Sequence, residues 1–115
     1  MSSLIEKLDI YGAAVNSAME RFMGDEELYI DCVTQFKNDE NFEQLKAALE
    51  AEDYSSAFRF AHAIKGVCAN LGLSPLFKAV AELVEPLRNG VGDGVDELYK
   101  TFVEEYQNFI KVMED

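Results

Sequence analysis

The side chain best suited to chemistry is that of His62, the only histidine among the 115 residues. On its side of a helix there is no Ser, Cys or carboxylate with which it could form a nucleophile–base–orienter set. A metal site is equally disfavoured, because no second histidine and no cysteine cluster could complete the ligands. Neutral imidazole is abundant at pH 7 and acts as a nitrogen nucleophile without help. Lys65 could then pair with the oxygens of a phosphoryl group.

The helical pattern around His62 keeps the imidazole out of the core. At about 100° per residue, the apolar side chains of this segment gather on the side opposite His62. The residues predicted on that buried side are Ala57, Phe60, Ile64, Val67, Cys68 and Leu71. Within about 60° of His62 lie Phe58, Arg59, Lys65, Gly66 and Ala69. The sequence thus predicts an exposed histidine on a stiff helix. The alternative is a solvated surface histidine without a function, which is common in proteins.

Gly66 lies in the middle of this helix, where glycine costs about 1 kcal/mol relative to alanine. It falls on the exposed side, so close packing in the core does not require it. A missing side chain one turn from His62 leaves room for another molecule. We interpret Gly66 as part of a docking surface; a glycine that the helix merely tolerates is the alternative.

The run His62-Ala-Ile-Lys65-Gly66-Val-Cys-Ala-Asn-Leu-Gly72 resembles the signature of histidine-containing phosphotransfer (HPt) domains, His-x-hydrophobic-Lys-Gly-small-x-x-x-x-Gly. The likeness covers about residues 25–90. The helix after the motif matches the usual pattern at Leu76, Ala79, Leu83 and Arg88.

The resemblance implies a four-helix bundle that carries a phosphoryl group on His62, usually on Nε2, and exchanges it with the aspartate of a response-regulator receiver domain. No cofactor of its own is implied, since the receiver would bring the Mg²⁺ that phosphoryl transfer needs. A sensor or hybrid histidine kinase would supply the phosphate, and this sequence has no Gly-rich phosphate loop. Lys65 is then the expected catalytic cation, and the expected docking residues are Phe58, Arg59, Gly66 and Ala69.

Two positions depart from the family pattern. Val67 stands where Ser or Ala is common, and Val84 where an acidic or amide side chain is frequent. Polar help to the imidazole from position 84 is therefore not expected.

The elements that position this segment are predicted to be helices throughout. The chain has two prolines and seven glycines, and no segment alternates with period two for long enough to be a strand. We predict an all-α protein, an up-down four-helix bundle core with short extra N-terminal helices. The chain is expected to form a single domain over 1–115 with its core at about 25–113.

Local signals predict where the helices begin and end. Asp25, Asp53 and Ser74 are the predicted N-caps, and Pro86 should distort or end the last turn of its helix. The expected helices cover about residues 3–11, a second segment ending near 23, then 26–38, 41–51, 54–71, 74–88, and a final helix of about twenty residues after a loop at 89–94.

Composition narrows the partners. Ten Lys and Arg against 22 Asp and Glu give a net charge of −12, which disfavours nucleic acid and anionic membranes. With 49% hydrophobic residues, the chain is too apolar for a disordered acidic segment. Cys32 and Cys68 have apolar neighbours and are predicted to be buried, reduced thiols. No apolar stretch is long enough to be the core of a signal peptide or a membrane span. We expect a cytoplasmic monomer.

Two other functions remain open from the sequence. One is a non-catalytic acidic helical adaptor that binds a partner through Phe58 and its neighbours, without use of Lys65 or Gly66. The other is the phosphate-accepting module of a larger hybrid or chemotaxis-type kinase. A histidine-kinase dimerisation helix is disfavoured, because Ala63 stands where those helices typically have an acidic residue.

Overall fold

Helices occupy most of the chain because proline is rare and every glycine except Gly66 lies in a turn or loop. The computed structural model describes residues 2–90 and 92–114, and this part contains seven α-helices and no strand. The predicted all-α class is confirmed. The helices are α1 (Ser2–Tyr11), α2 (Val15–Arg21), α3 (Glu26–Lys37), α4 (Asn41–Glu50), α5 (Tyr54–Leu71), α6 (Ser74–Arg88) and α7 (Val95–Glu114).

The bundle is built around α5, which packs against α4 and α6, while α6 packs against α7. Helix α7 meets α4 through stacked rings, with the Phe42 centroid 4.2 Å from that of Tyr106 and 6.1 Å from that of Phe102. Of the short N-terminal helices, α1 packs on α7, and α2 and α3 pack on α5. The up-down bundle with extra N-terminal helices is the architecture predicted from the sequence.

Two of the three predicted N-caps are confirmed. The Oδ1 atoms of Asp25 and Asp53 each accept the backbone N–H three residues on, at 3.0 and 3.2 Å. Hydrogen bonds from Ser56 hold the pKa of the Asp53 carboxyl below its ordinary value. The third prediction is wrong: Ser74 is the first residue of α6, and Leu73 occupies the N-cap position without a side-chain bond. The Ser74 hydroxyl instead donates back to a carbonyl of the preceding turn.

The two thiols differ in burial. Cys68 lies in the core, and burial raises the pKa of its thiol. Cys32 is half-buried, so the prediction that both are buried is wrong for this residue, which lies at the edge of the core. Both cysteines are free.

The turn between α5 and α6 depends on Gly72 for two reasons. Its φ of 70° lies in the left-handed region, and a Cβ atom there would stand 2.7 Å from the carbonyl oxygen of Ala14. The Ala14 N–H in turn donates to the Gly72 carbonyl at 2.7 Å. This close approach joins the start of α2 to the end of α5.

We expect Gly72→Ala to lower the free energy of unfolding by about 2–4 kcal/mol, because left-handed backbone strain and the collision with Ala14 add. Gly90 is the matched control, since its φ of 68° is nearly the same but a Cβ there meets nothing within 4 Å. Gly90→Ala should cost about 1–2 kcal/mol. Denaturant unfolding of both variants measures the difference, and equal losses would contradict the role given to the Ala14 contact.

Candidate functional site

The buried side of α5 is a narrow seam. Its members are spaced four and three residues apart and are at most 2% exposed: Ala57, Ala61, Ile64, Cys68 and Leu71. The predicted seam is partly wrong, since Phe60 and Val67 are only half-buried and Ala61, not predicted, is fully buried. Neighbouring helices can approach closely at this small residue, so the seam is turned by about 40° from the predicted centre.

The opposite side of α5 is open, as predicted. His62, Gly66, Ala69 and Arg59 are exposed, while Phe58 and Lys65 are half-buried. We call these six residues the His62 face. A Cβ atom at Gly66 would meet nothing within 4 Å. The structure thus shows that packing within the chain does not demand this glycine.

Phe58 joins the imidazole to a cation from the next helix. The ring centroids of Phe58 and His62 are 5.5 Å apart, and the Arg88 guanidinium carbon lies 5.3 Å from the Phe58 centroid. Arg88 also lies 3.6 Å from a carboxylate oxygen of Glu85. No hydrogen bond or ion pair to the imidazole occurs in the described part of the chain.

Arg88 is the site residue that sequence reasoning missed. The sequence pattern places it on α6 but does not predict it as a neighbour of Phe58 and the histidine. A usable signal existed: Phe58 lies fourteen residues before Gly72 and Arg88 sixteen after it. Residues at similar distances from the turn of a helical hairpin come to lie side by side.

Arg59 is turned away from the imidazole. Its Nη2 donates to the Ser56 hydroxyl at 3.1 Å, and its guanidinium carbon lies 5.8 Å from the Phe60 ring centroid. Both contacts lie on the far side of Arg59 from His62. Lys65 lies one turn from His62 on α5, and Arg88 contacts the Phe58 ring that neighbours the imidazole.

The charge of α5 differs from that of the rest of the protein. The chain carries 22 acidic residues, yet none lies in Tyr54–Leu71. Helix α5 carries two cations, the exposed Arg59 and the half-buried Lys65, and is therefore locally basic on a protein of net charge −12. Such a local area favours an anionic group at His62.

Val84 offers no polar contact to the imidazole, because it is fully buried in the core. The apolar residue at position 84 thus packs in the core of this protein. Arg88, one turn further along α6, places a guanidinium group against the Phe58 ring.

The C-terminal end of α5 is held by two side chains from other helices. Arg21 donates to the carbonyls of Ala69 and Asn70, both at 2.9 Å. The Tyr29 hydroxyl donates to the Leu71 carbonyl at 2.8 Å, and burial raises the pKa of Tyr29 to about 12. These bonds satisfy carbonyls that a helix end otherwise leaves free. These hydrogen bonds thereby fix the C-terminal end of the helix that carries His62.

Metal-binding clusters and membrane-spanning helices are both absent from the described residues, 2–90 and 92–114. They contain no group of three or more His, Cys, Asp or Glu that could hold a metal ion. None of their helices is both long and apolar enough to cross a membrane.

Comparison with known proteins adds one match. The family model of the Hpt domain matches residues 35–111, which include α4 to α6, most of α7 and every residue of the His62 face. No curated protein and no solved structure matches the chain at a significant level. The chain belongs to the Hpt domain family.

Hpt domains take part in histidine phosphotransfer in phosphorelays and interact with receiver domains and histidine kinases. The matched segment begins at residue 35, so α1, α2 and most of α3 lie outside it. Arg21 and Tyr29, whose hydrogen bonds hold the end of α5, therefore lie before the matched segment.

The open space at Gly66 predicts a separation of folding from function. Gly66→Ala should raise the free energy of unfolding by up to about 1 kcal/mol, and Gly66→Gln should leave the melting temperature near that of the wild type. The longer side chain would stand in the path of a receiver, so phosphoryl transfer should fall at least tenfold. Stopped-flow or quench-flow transfer assays with thermal unfolding measure both effects.

Ala63→Gln is the matched control, because Ala63 is exposed on the same helix but lies about 100° from His62. This variant should transfer at close to the wild-type rate. If Gly66→Gln unfolds the bundle, or transfers as fast as Ala63→Gln, Gly66 is not a docking residue.

Proposed function

We propose that this Hpt domain carries a phosphoryl group on His62 and exchanges it with the aspartate of response-regulator receiver domains. The observation that carries the proposal is the open space above Gly66, one turn from an exposed imidazole. A helix interior rarely retains glycine without a reason, and packing within the chain offers none. An approaching protein surface explains it.

The proposed step is a displacement at phosphorus. The lone pair of the His62 nitrogen, Nε2 by family resemblance, forms the N–P bond while the bond from phosphorus to the receiver carboxylate breaks. The carboxylate leaves with the electron pair, and the proton on the other ring nitrogen can pass to solvent. Lys65 and Arg88 can pair with the three phosphoryl oxygens as charge moves between the two proteins.

The chain's share in this reaction is positioning. The imidazole stands on a helix whose N-terminal end is capped by Asp53 and whose C-terminal end is bonded to Arg21 and Tyr29. A nucleophile held in place avoids much of the entropic cost of reaching a near-attack geometry. The Mg²⁺ of the reaction is expected on the partner receiver, and no cofactor is assigned to this chain.

The proposal also includes the phosphate donor, the excluded classes of partner and the localisation of the protein. A sensor or hybrid histidine kinase would supply the phosphoryl group, because the sequence offers no phosphate-binding loop for a nucleotide. The acidic surface disfavours nucleic acid and anionic membranes. We propose a cytoplasmic monomer in which residues 1–115 act as one domain, with the bundle core at about 25–113.

His62→Gln tests the assignment directly. Because His62 is exposed and outside the seam, the variant should keep the wild-type unfolding curve. Uptake of phosphate from a phosphorylated receiver should vanish, as followed by acid-labile label on the protein. A His62→Gln protein that still took up label would refute the assignment. A wild-type protein that binds receivers but never takes up label would favour the adaptor function.

Lys65 should affect the rate of transfer rather than the product. Charge-assisted contacts contribute about 1.5–3 kcal/mol, so Lys65→Ala should slow single-turnover transfer by about one to two orders of magnitude. Lys65→Arg should retain part of the rate. Arg59→Ala should weaken association mainly at low salt, because Arg59 points away from the imidazole.

Lys46→Ala is the control for a loss of positive charge, since Lys46 is exposed on α4 beside α7, away from the His62 face. Transfer by this variant should stay within twofold of the wild type. Equal rates for Lys65→Ala and Lys46→Ala would show that Lys65 is ordinary surface charge.

A further inference from the structure

The turn that ends α6 contains the dipeptide Asn89-Gly90. Of the six asparagines in the chain, Asn89 alone precedes a glycine. An asparagine loses its amide when the backbone nitrogen of the next residue attacks the side-chain carbonyl carbon, and glycine, which has no side chain, hinders this attack least. Both residues are exposed, and a Cβ atom at Gly90 would meet nothing within 4 Å. The dipeptide is therefore open to this reaction and to water.

The backbone at Asn89 must rotate before the attack. At its ψ of 4°, the Gly90 nitrogen eclipses the backbone nitrogen of Asn89 rather than the Cβ atom, so the five-membered ring cannot close. The Gly90 N–H also donates to the Leu87 carbonyl at 3.0 Å. The reaction thus requires that the last turn of α6 open locally.

This last turn lacks one of its hydrogen bonds. Pro86 lies inside α6 and has no N–H to donate to the Glu82 carbonyl. The Asn89 N–H donates to the Pro86 carbonyl at 3.1 Å, only three residues back. The side-chain amide of Asn89 adds a long hydrogen bond, 3.5 Å, to the Glu85 carbonyl. Local opening at such a helix end costs little free energy.

Asn38 ends α3 in the same way and provides a reference within the chain. Its φ and ψ are −106° and 19°, against −93° and 4° at Asn89. In both turns the asparagine N–H and the next N–H donate to the carbonyls three residues back, at 3.1 and 3.0 Å. Both asparagines are exposed. The two sites differ in the residue that follows, Asp39 against Gly90, and in Pro86, which has no counterpart in α3.

We propose that Asn89 is a site of spontaneous deamidation and that its product lowers phosphoryl exchange at His62. In the opened turn, base removes the amide proton of Gly90, and the Gly90 nitrogen forms a bond to Cγ of Asn89. The bond from Cγ to Nδ2 breaks, and this nitrogen leaves as ammonia after taking a proton from solvent. Water then opens the cyclic imide, at Cγ to give aspartate or at the backbone carbonyl carbon to give isoaspartate. Water is the only reagent consumed.

The product carries a new carboxylate beside Arg88. The α-carbons of neighbouring residues are about 3.8 Å apart, well within the Debye length of about 8 Å at physiological salt. Arg88 contacts the Phe58 ring, which in turn neighbours the imidazole. The added negative charge offsets part of the Arg88 charge and disfavours an anionic phosphoryl group nearby. This effect rests on the proposed function, whereas the deamidation itself does not.

Peptide mass mapping after prolonged incubation at mildly alkaline pH tests the modification. Asn89 should show the mass gain of an amide-to-acid exchange about tenfold faster than Asn38, because only Asn89 precedes a glycine. The rate should rise with pH, since base forms the attacking nitrogen. Pro86→Ala, which restores the missing N–H, should slow the conversion roughly threefold. Conversion of Asn89 no faster than that of Asn38 would overturn the proposal, and an unchanged rate in Pro86→Ala would overturn the part given to the open turn.

Asn89→Asp separates the effect of the new charge from the slow chemistry. Single-turnover transfer from the phosphoramidate-labelled protein to an accepting receiver should be about two- to fivefold slower than in the wild type, as for one partly screened surface charge. Asn38→Asp is the matched control, since it adds the same charge at an equivalent helix end that lies beside α7. Its rate should stay close to that of the wild type.

Equal transfer rates for Asn89→Asp and Asn38→Asp would overturn the effect on exchange. A wild-type protein that exchanges phosphate with no receiver would refute the proposed function and this effect with it. Mass mapping would still decide the deamidation, because it needs no receiver.

Discussion

The carbonyl groups at the C-terminal end of α5 need hydrogen-bond donors from outside the helix, and the placement of α2 and α3 follows from this need. The last turn of α5 contains no basic residue. Arg21 of α2 and Tyr29 of α3 supply the missing donors, and the Leu73 N–H completes the set at the Cys68 carbonyl. Each donor brings its helix to this end of α5, so neither helix needs to lie over the side that bears His62.

As a result, neighbouring helices pack against several sides of α5, and the side that bears His62 is left exposed to solvent. Helix α5 contacts α2, α3, α4 and α6, and its seam contains the small residues Ala57 and Ala61, which let neighbours approach. The fold does not depend on contacts at the opposite side, so glycine at position 66 costs only helix propensity. A nucleophile on such a helix is both accessible and stiff, which is what transfer between two proteins requires.

Charged residues, like packing contacts, are distributed unevenly around α5. Most of the surface is acidic, whereas α5 has no carboxylate, and Arg88 is brought beside it across the Phe58 ring. A local basic area can hold a phosphoryl group, while the surrounding negative charge disfavours polyanions such as nucleic acid.

Most helix bounds, the all-α class and the exposure of His62 and Gly66 follow from the sequence alone, because caps, turns and a 3.6-residue period are local properties of the chain. The exceptions are the end of α2, at Arg21 rather than near residue 23, and the start of α6, where Leu73 and not Ser74 is the N-cap. Only the tertiary structure decided that Arg88 stands beside Phe58, that Arg21 and Tyr29 close α5, and that Ala61 replaces Phe60 and Val67 in the seam. These features depend on how helices distant in sequence align and approach, and the side-chain pattern of any one helix does not contain that register.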